Sequence, residues 1–234
     1  MRTALVLAVL SGSPVLAAVG TVTLVEGTAF RTPNGGAEQP LKQGAEVELD
    51  DTLRTGSDGT VKLTLTDQSV VVLGPESELV VERAEFESQE RSRVSLKLLV
   101  GGVWAKVKKA IAGSDATFEV SAARAVAGVR GTIFRVDATP LIAGTRPPKI
   151  RETVVRVTEG RVAVNAQVKK AARPPPKGPR VEVPGPTEVT AEEWEKRLVE
   201  LQAGRQVRIT DTQFQTGKAT EKKDAIDKFL QKHP

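Results

Sequence analysis

The 234-residue chain has no cysteine, no tyrosine, a single histidine and only 3% aromatic residues. Without cysteine there can be no disulfide, no thiolate metal site and no lipid-attachment cysteine. The lone histidine, His233, is the penultimate residue, which removes the usual histidine-based metal sites and catalytic triads. No apolar run approaches the ~20 residues of a membrane-spanning helix. Gly101-Gly102 lacks the helix and lysine of a phosphate-binding loop. Of the acidic pairs, Asp50-Asp51 and Glu76/Glu78, adjacent residues on a strand point to opposite faces and acids in turns are normally solvated. These absences argue against an enzyme and imply no cofactor and no metal. With so few aromatics, the buried area must come from Val, Leu, Ile and Ala.

What is present begins with MRTALVLAVLSGSPVLAAVG. A positive charge at Arg2, a short apolar run over residues 4–10, a break at Ser11-Gly12-Ser13-Pro14 and small residues at Ala17 and Ala18 have the layout of a cleavable secretory signal. Cleavage after Ala17 or Ala18 would leave about 216 residues, enough for one substantial domain and an appendage. The expected product is exported, soluble and unanchored: periplasmic, with onward secretion left open. Its charge is +5 overall but unevenly placed. Residues 38–87 hold four basic against twelve acidic side chains, and residues 88–135 hold nine against three. Such blocks are either solvated faces or halves that neutralise each other in the fold. An exported and mildly basic domain is not expected to bind nucleic acid.

From about residue 20 to 165, short apolar alternations recur between turn residues. Val61-Lys62-Leu63-Thr64-Leu65 and Val70-Val71-Val72-Leu73, joined by Thr66-Asp67-Gln68-Ser69, read as a hairpin. Val94, Leu96, Leu98 and Val100 alternate with polar residues up to Gly101-Gly102, and Val103, Ala105 and Val107 then alternate with Trp104, Lys106 and Lys108. Many short strands at this spacing imply an all-β protein, an antiparallel β-sandwich or β-roll, with one or two short C-terminal helices. An apolar residue followed shortly by glycine recurs at Gly27, Gly101, Gly160 and Gly204, one turn chemistry reused at strand ends.

The expected organisation is a signal over residues 1–18, a β-domain over 19–166, a basic proline-rich linker over 167–182 and an extension over 183–234. The linker contains KKAARPPPKGPR, five basic residues and four prolines without an acid. Beyond it, Thr190 and Glu193 form a capping-box pattern, and Trp194, Leu198 and Leu201 share a helical face. A rival reading makes residues 199–201 and 207–209 a hairpin around Ala203-Gly204. Residues 220–230 read as an amphipathic helix with Ile226, Phe229 and Leu230 on one side.

Several of these pieces occur in an order that resembles the FecR domain of iron-citrate-type signal transducers. They are Gly20-Thr21-Val22, Asp51-Thr52-Leu53-Arg54-Thr55-Gly56, Leu73-Gly74-Pro75-Glu76-Ser77-Glu78-Leu79 and Val129-Arg130-Gly131-Thr132 with Phe134. The resemblance is clear over about residues 20–165 and loose over 180–210. It implies an all-β fold and a role in binding or signalling, with an envelope protein such as a transporter or membrane sensor as partner. Full transducers of that family place an anti-sigma segment and a transmembrane helix before this domain. Here the signal leads almost directly to Gly20, so a stand-alone exported form is expected.

Two places stand out as candidate sites. In VAGVRGTIFRV, strand alternation puts Arg130 beside Thr132, Phe134 and Val136, flanked by Gly128 and Gly131. Both faces are apolar, so a buried guanidinium there must be paired. Asp51, Asp58 and Asp67 are the acidic turn residues available, and Arg130 reads as a clamp between loops and core, or alternatively as a carboxylate-binding group. Asp51 and Gly56 belong to the same structural motif. Trp104, Lys106 and Lys108 share the other strand face, which suits stacking on a sugar or an anionic partner unless a loop or the C-terminal helix covers the indole. A structural protein that binds cell-wall glycan, peptidoglycan or polysaccharide, is therefore the competing reading.

Overall fold

The computed structural model describes residues 18–87, 90–108, 116–144, 146–169, 194–220 and 223–234. Period-two alternation shapes nearly all of them. The strands are β1 (Gly20–Glu26), β2 (Ala29–Thr32), β3 (Gln39–Pro40), β4 (Glu46–Val47), β5 (Thr52–Thr55), β6 (Thr60–Leu65), β7 (Val70–Leu73), β8 (Glu78–Glu87) and β9 (Glu90–Lys106). They continue as β10 (Thr117–Ala122), β11 (Ala125–Val129), β12 (Ile133–Pro140), β13 (Ile150–Glu159), β14 (Arg161–Lys169), β15 (Trp194–Gln202), β16 (Arg205–Ile209) and β17 (Phe214–Lys218), and one helix, α1 (Ala225–Lys232), ends the chain.

The pairings make one hydrogen-bonded network folded into two layers. Layer one runs β4-β1-β6-β7-β9-β12-β13-β16-β17. Layer two runs β3-β2-β5-β8-β9-β10-β11-β14-β15. Only β9 belongs to both. Its first part pairs with β8 and β10, and residues 101–106 pair with β7 and β12. Every pairing is antiparallel except β9 with β10. The architecture is thus the all-β sandwich that the alternation implies.

Alternate residues of both layers meet in one core. Leu63, Leu65, Val71, Val103, Phe134, Val136 and Val155 from layer one are buried against Leu53, Leu79, Val81, Leu96, Phe118, Val120 and Val164 from layer two. Phe118 and Phe134 meet edge to face across the gap, 6.5 Å between centroids. Burial of each such side chain stabilises the fold by about 1.5–3 kcal/mol.

Layer crossings explain the repeated glycine. Gly27, Gly101, Gly160 and Gly204 all have positive φ, and each lies where the chain passes from one layer to the other. Gly101 is the most constrained. Its φ is 91°, and a Cβ there would sit 2.1 Å from Ser77 Oγ.

Two sequence expectations change. VAGVRGTIFRV is not one strand: β11 ends at Val129, Gly131 turns at φ 61°, and β12 starts at Ile133 in the other layer. Arg130 therefore stands on an exposed corner, not in a core strand. The helical face of Trp194, Leu198 and Leu201 is replaced by β15. There β14 offers an open edge whose Val162 and Val164 bury Leu201 and Val199 at period two, which leaves Leu198 78% exposed. Tertiary pairing overrides local helix preference. The rival hairpin also fails, because β15 pairs with β14 while β16 pairs with β13 and β17. The capping-box residues and most of the proline-rich segment lie outside the described residues, and β15 to β17 extend both layers. The terminal helix is present but shorter than the pattern implied: Asp224 caps it and accepts from the Ile226 and Asp227 backbone amides.

Gly101→Ala should destabilise the protein by about 2–4 kcal/mol, since it combines strain at positive φ with a backbone clash. Gly128→Ala should stay within about 0.5 kcal/mol, because its nearest neighbour would be a carbonyl oxygen at 3.8 Å. Urea unfolding of both variants checks the pair, and equal midpoints would refute the role given to Gly101.

Candidate binding cleft

A cleft of about 640 Å³ opens where β9 changes layer. Its floor is built by the short motifs around Thr55 and Ser77. Thr55 Oγ1 donates to the Gly74 carbonyl at 2.6 Å and accepts from the Ser77 amide at 3.0 Å. Ser77 Oγ accepts from the Gly102 amide at 2.9 Å and lies 2.9 Å from the Pro75 carbonyl, to which it donates. Gly56 closes the same corner by donating to the Thr28 carbonyl at 2.8 Å and accepting from Glu76 at 2.9 Å. Both floor hydroxyls are thus engaged with backbone, and neither has a histidine beside it; His233 sits at the far end of α1.

One wall is an ion-pair cluster. Arg135 of β12 is 7% exposed and donates to Asp137 at 2.8 and 3.0 Å and to Asp224 at 2.6 and 2.9 Å. Asp137 also pairs with Arg156 of β13. Burial opposes the charge on Arg135, but its hydrogen bonds to Asp224 and the adjacent Asp137 outweigh it and raise its pKa. Arg135 is therefore a permanently charged anchor for the N-terminus of α1.

The other wall is the β12–β13 loop. Leu141 and Ile142 are 59% and 63% exposed there, two of the few large apolar side chains in water. At the rim, Arg54 makes a forked pair with Glu38 at 2.6 and 2.9 Å and stacks over Phe30 at 4.5 Å, and Arg146 lies 3.4 Å from Glu78. The hydrogen bond from Arg54 holds the Glu38 carboxyl below its usual range. Each guanidinium in the cleft therefore already has a carboxylate. Among the described residues no group of three or more His, Cys, Asp or Glu side chains is placed to hold a metal.

The residues singled out from sequence fall elsewhere. Arg130 is exposed, with no side-chain partner among the described residues, so it clamps nothing. Its neighbours do: Thr132 is 2% exposed and donates to the Arg161 carbonyl at 3.0 Å. The acidic turn residues do take guanidinium partners, but other ones. Asp67 holds Arg91, whose side chain is fully buried, and Asp51 forms an ion pair with Arg31 at 2.6 Å. Gly128 lies in β11, where an added Cβ would make only an ordinary contact with the Ala163 carbonyl oxygen at 3.8 Å. Trp104 is half-buried and packs with Leu24, Val70, Val72 and Leu230 around Ile226 and Phe229, so α1 covers the face proposed for a sugar. Lys106 and Lys108 are exposed. Arg91 and Arg135 were missed: Arg135 shares its strand face with Ile133, but Arg91 has the parity of Arg93, Ser95 and Lys97, which alternation marks as outward, and the register irregularity between β8 and β9 lies beside it.

The sequence from 51 to 163 matches the family model described as FecR protein. That segment, the stretch of the chain that the FecR model matches, contains the cleft floor, the β9 crossing and the β11–β12 corner. Among solved structures, two crystal structures of a "putative anti-sigma factor" from Parabacteroides distasonis ATCC 8503, at 2.50 and 1.65 Å, are similar at 18% identity, with TM-scores of 0.49 and 0.48. The similarity covers 77% of this chain and 64% of theirs, so the chain spans under two thirds of those proteins. No curated protein matches it.

Two predictions follow from the α1 cover and its anchors. In a Trp194→Phe background, Ile226→Asp or Phe229→Ala should shift Trp104 emission to the red, and an unchanged spectrum would show that α1 does not cover the indole. Glu26 is held below its usual carboxylate range by hydrogen bonds from Lys232 and His233, which fasten the other end of the helix. A depressed carboxylate contributes stability above its unfolded value of about 4.5, lost as pH falls through the lower folded value. Amide protection of α1 should accordingly weaken below about pH 4.5, and Glu26→Gln should weaken it at neutral pH and flatten this acid limb.

Proposed function

We propose that this chain is exported through a cleavable leader and acts in the envelope as a non-catalytic FecR-domain binding module. Its partner is another envelope protein, a transporter or a membrane sensor, engaged by the β12–β13 loop and the cleft beside it. The observation that carries this reading is the pair Leu141 and Ile142, exposed on a loop held over a FecR-domain cleft whose charges are internally matched. Exposed apolar side chains beside a concave, largely neutral surface suit a protein partner better than an anionic polymer. The FecR domain supports a signalling or regulatory role, and the cleft's engaged hydroxyls support binding without catalysis. The glycan reading loses its stacking platform, because Trp104 lies under α1.

A photo-crosslinking residue at Ile142, compared with one at Lys106, tests the surface in intact cells. Capture of one membrane or transport protein from position 142 and not from 106 is the expected result. Capture at 106 alone, or of cell-wall fragments only, would overturn it.

A further inference from the structure

The two ends of the sandwich are finished in opposite ways. At one end the edge strands β3 and β4 are two residues long, and Pro40 removes an amide donor from β3. Short strands and proline are the usual means of blunting a sheet edge against unwanted pairing. At the other end the edges are β17, with five residues, and β15, with nine. Among the described residues β15 pairs with β14 alone, leaving a long row of amides and carbonyls along its outer side. At its centre stands Leu198, 78% exposed, the most exposed of the large apolar side chains among the described residues. Burial alternates along the segment that follows: Val199 and Leu201 turn inward, and Leu198 and Glu200 outward.

We infer that the β15 edge is the interface for a second copy of this chain, paired antiparallel about a two-fold axis through Leu198. The sequence of β15, WEKRLVELQ, selects the occupant and the register. If the two-fold axis is perpendicular to the sheet, outward residues stay outward in both copies, so the axis must pass through a residue and not between two. Centred on Lys196, Arg197 or Glu200, the pairing would set a charge against its own copy. Centred on Val199, it would set Leu198 against Glu200. Centred on Leu198, it sets Leu198 against Leu198 and each Lys196 position against Glu200 of the other copy, one opposite-charge pair on either side of an apolar contact. Directly opposed residues of this kind are the unit of sheet stabilisation, and like charges there are destabilising. The result is an isologous dimer in which layer two continues across both subunits.

Charge exchange on the full chain tests this independently of the cleft, since none of the substituted residues lines it. Sedimentation of the wild type should show a dimer that dissociates on dilution. Lys196→Glu and Glu200→Lys each place like charges opposite one another twice, and each should weaken dimerisation by about tenfold or more. The double variant, Lys196→Glu with Glu200→Lys, restores both opposite pairs and should recover the wild-type dissociation constant. Circular dichroism of each variant separates lost pairing from lost folding. A wild type that stays monomeric overturns the proposal; if it becomes dimeric once residues 170–193 are replaced by Gly and Ser, the edge is occupied within one chain. Single variants that remain as dimeric as the wild type, or a double variant that does not recover, overturn it as well.

Discussion

The strand β9 spans seventeen residues and serves both layers, and it does so through one backbone feature. At Gly101 the chain takes φ 91° and passes so close to Ser77 that no Cβ would fit. The Ser77 hydroxyl then accepts from the Gly102 amide, a donor at the very point where the ladder changes partner. Close approach and hydrogen-bond satisfaction are therefore the same constraint seen twice. A side chain at 101 would push Ser77 away and leave a buried amide unpaired, at a cost of roughly 1–3 kcal/mol beyond the strain itself. Because β8 and β10 hang on one half of β9 and β7 and β12 on the other, the relative placement of the layers depends on that corner. The cleft is its direct by-product, since a strand that leaves one sheet for another opens a concavity behind it.

Scarcity of aromatics shapes the rest. With six phenylalanines and two tryptophans in 234 residues, large buried volumes are filled partly by guanidinium groups. Arg91 is enclosed, pairs with Asp67 and lies over the Phe118 ring at 5.5 Å, while its other amino group donates to the Lys108 carbonyl at 3.2 Å. It ties the β6–β7 turn to both ends of β9. Arg135 does the same for β12 and α1. Buried ion pairs of this kind add little net stability, because desolvation offsets the attraction. Removing one partner is costly all the same, so they fix which loop meets which strand.

Much of this was legible from residue order. Alternation over Val61–Leu65 and Val70–Leu73 and the short polar link between them appear where the pattern puts them, because period-two burial is a local property of a strand lying on a core. The positive-φ glycines were legible as turns, but not as layer crossings, since nothing local says which sheet the next strand joins. That is also why VAGVRGTIFRV reads as one strand and is two. Arg130 resembled a buried clamp only on the assumption that the alternation ran through it; Gly131 reverses the chain first. At β15 the failure has another cause. Glu, Lys, Arg and Leu favour a helix when alone, and the deciding contribution, the open edge of β14, lies more than twenty residues away in sequence.

The motifs that identify the family do structural work at these corners. Asp51 receives Arg31, Thr55 and Ser77 lock the cleft floor, and Thr132 holds the β13–β14 corner through the Arg161 carbonyl. Each satisfies buried polar groups where the chain changes layer, so the pattern describes how the sandwich is folded and not what it contacts. The pattern says least about the β12–β13 loop and the β15 edge, where Leu141, Ile142 and Leu198 are exposed. Both are carried by strands of the sandwich, which fixes where they are presented, and at β15 Val199 and Leu201 pack inward while Leu198 stays exposed. Recognition in a domain of this kind is carried by loops and edges on an invariant frame, and the frame's own side chains are already committed to one another.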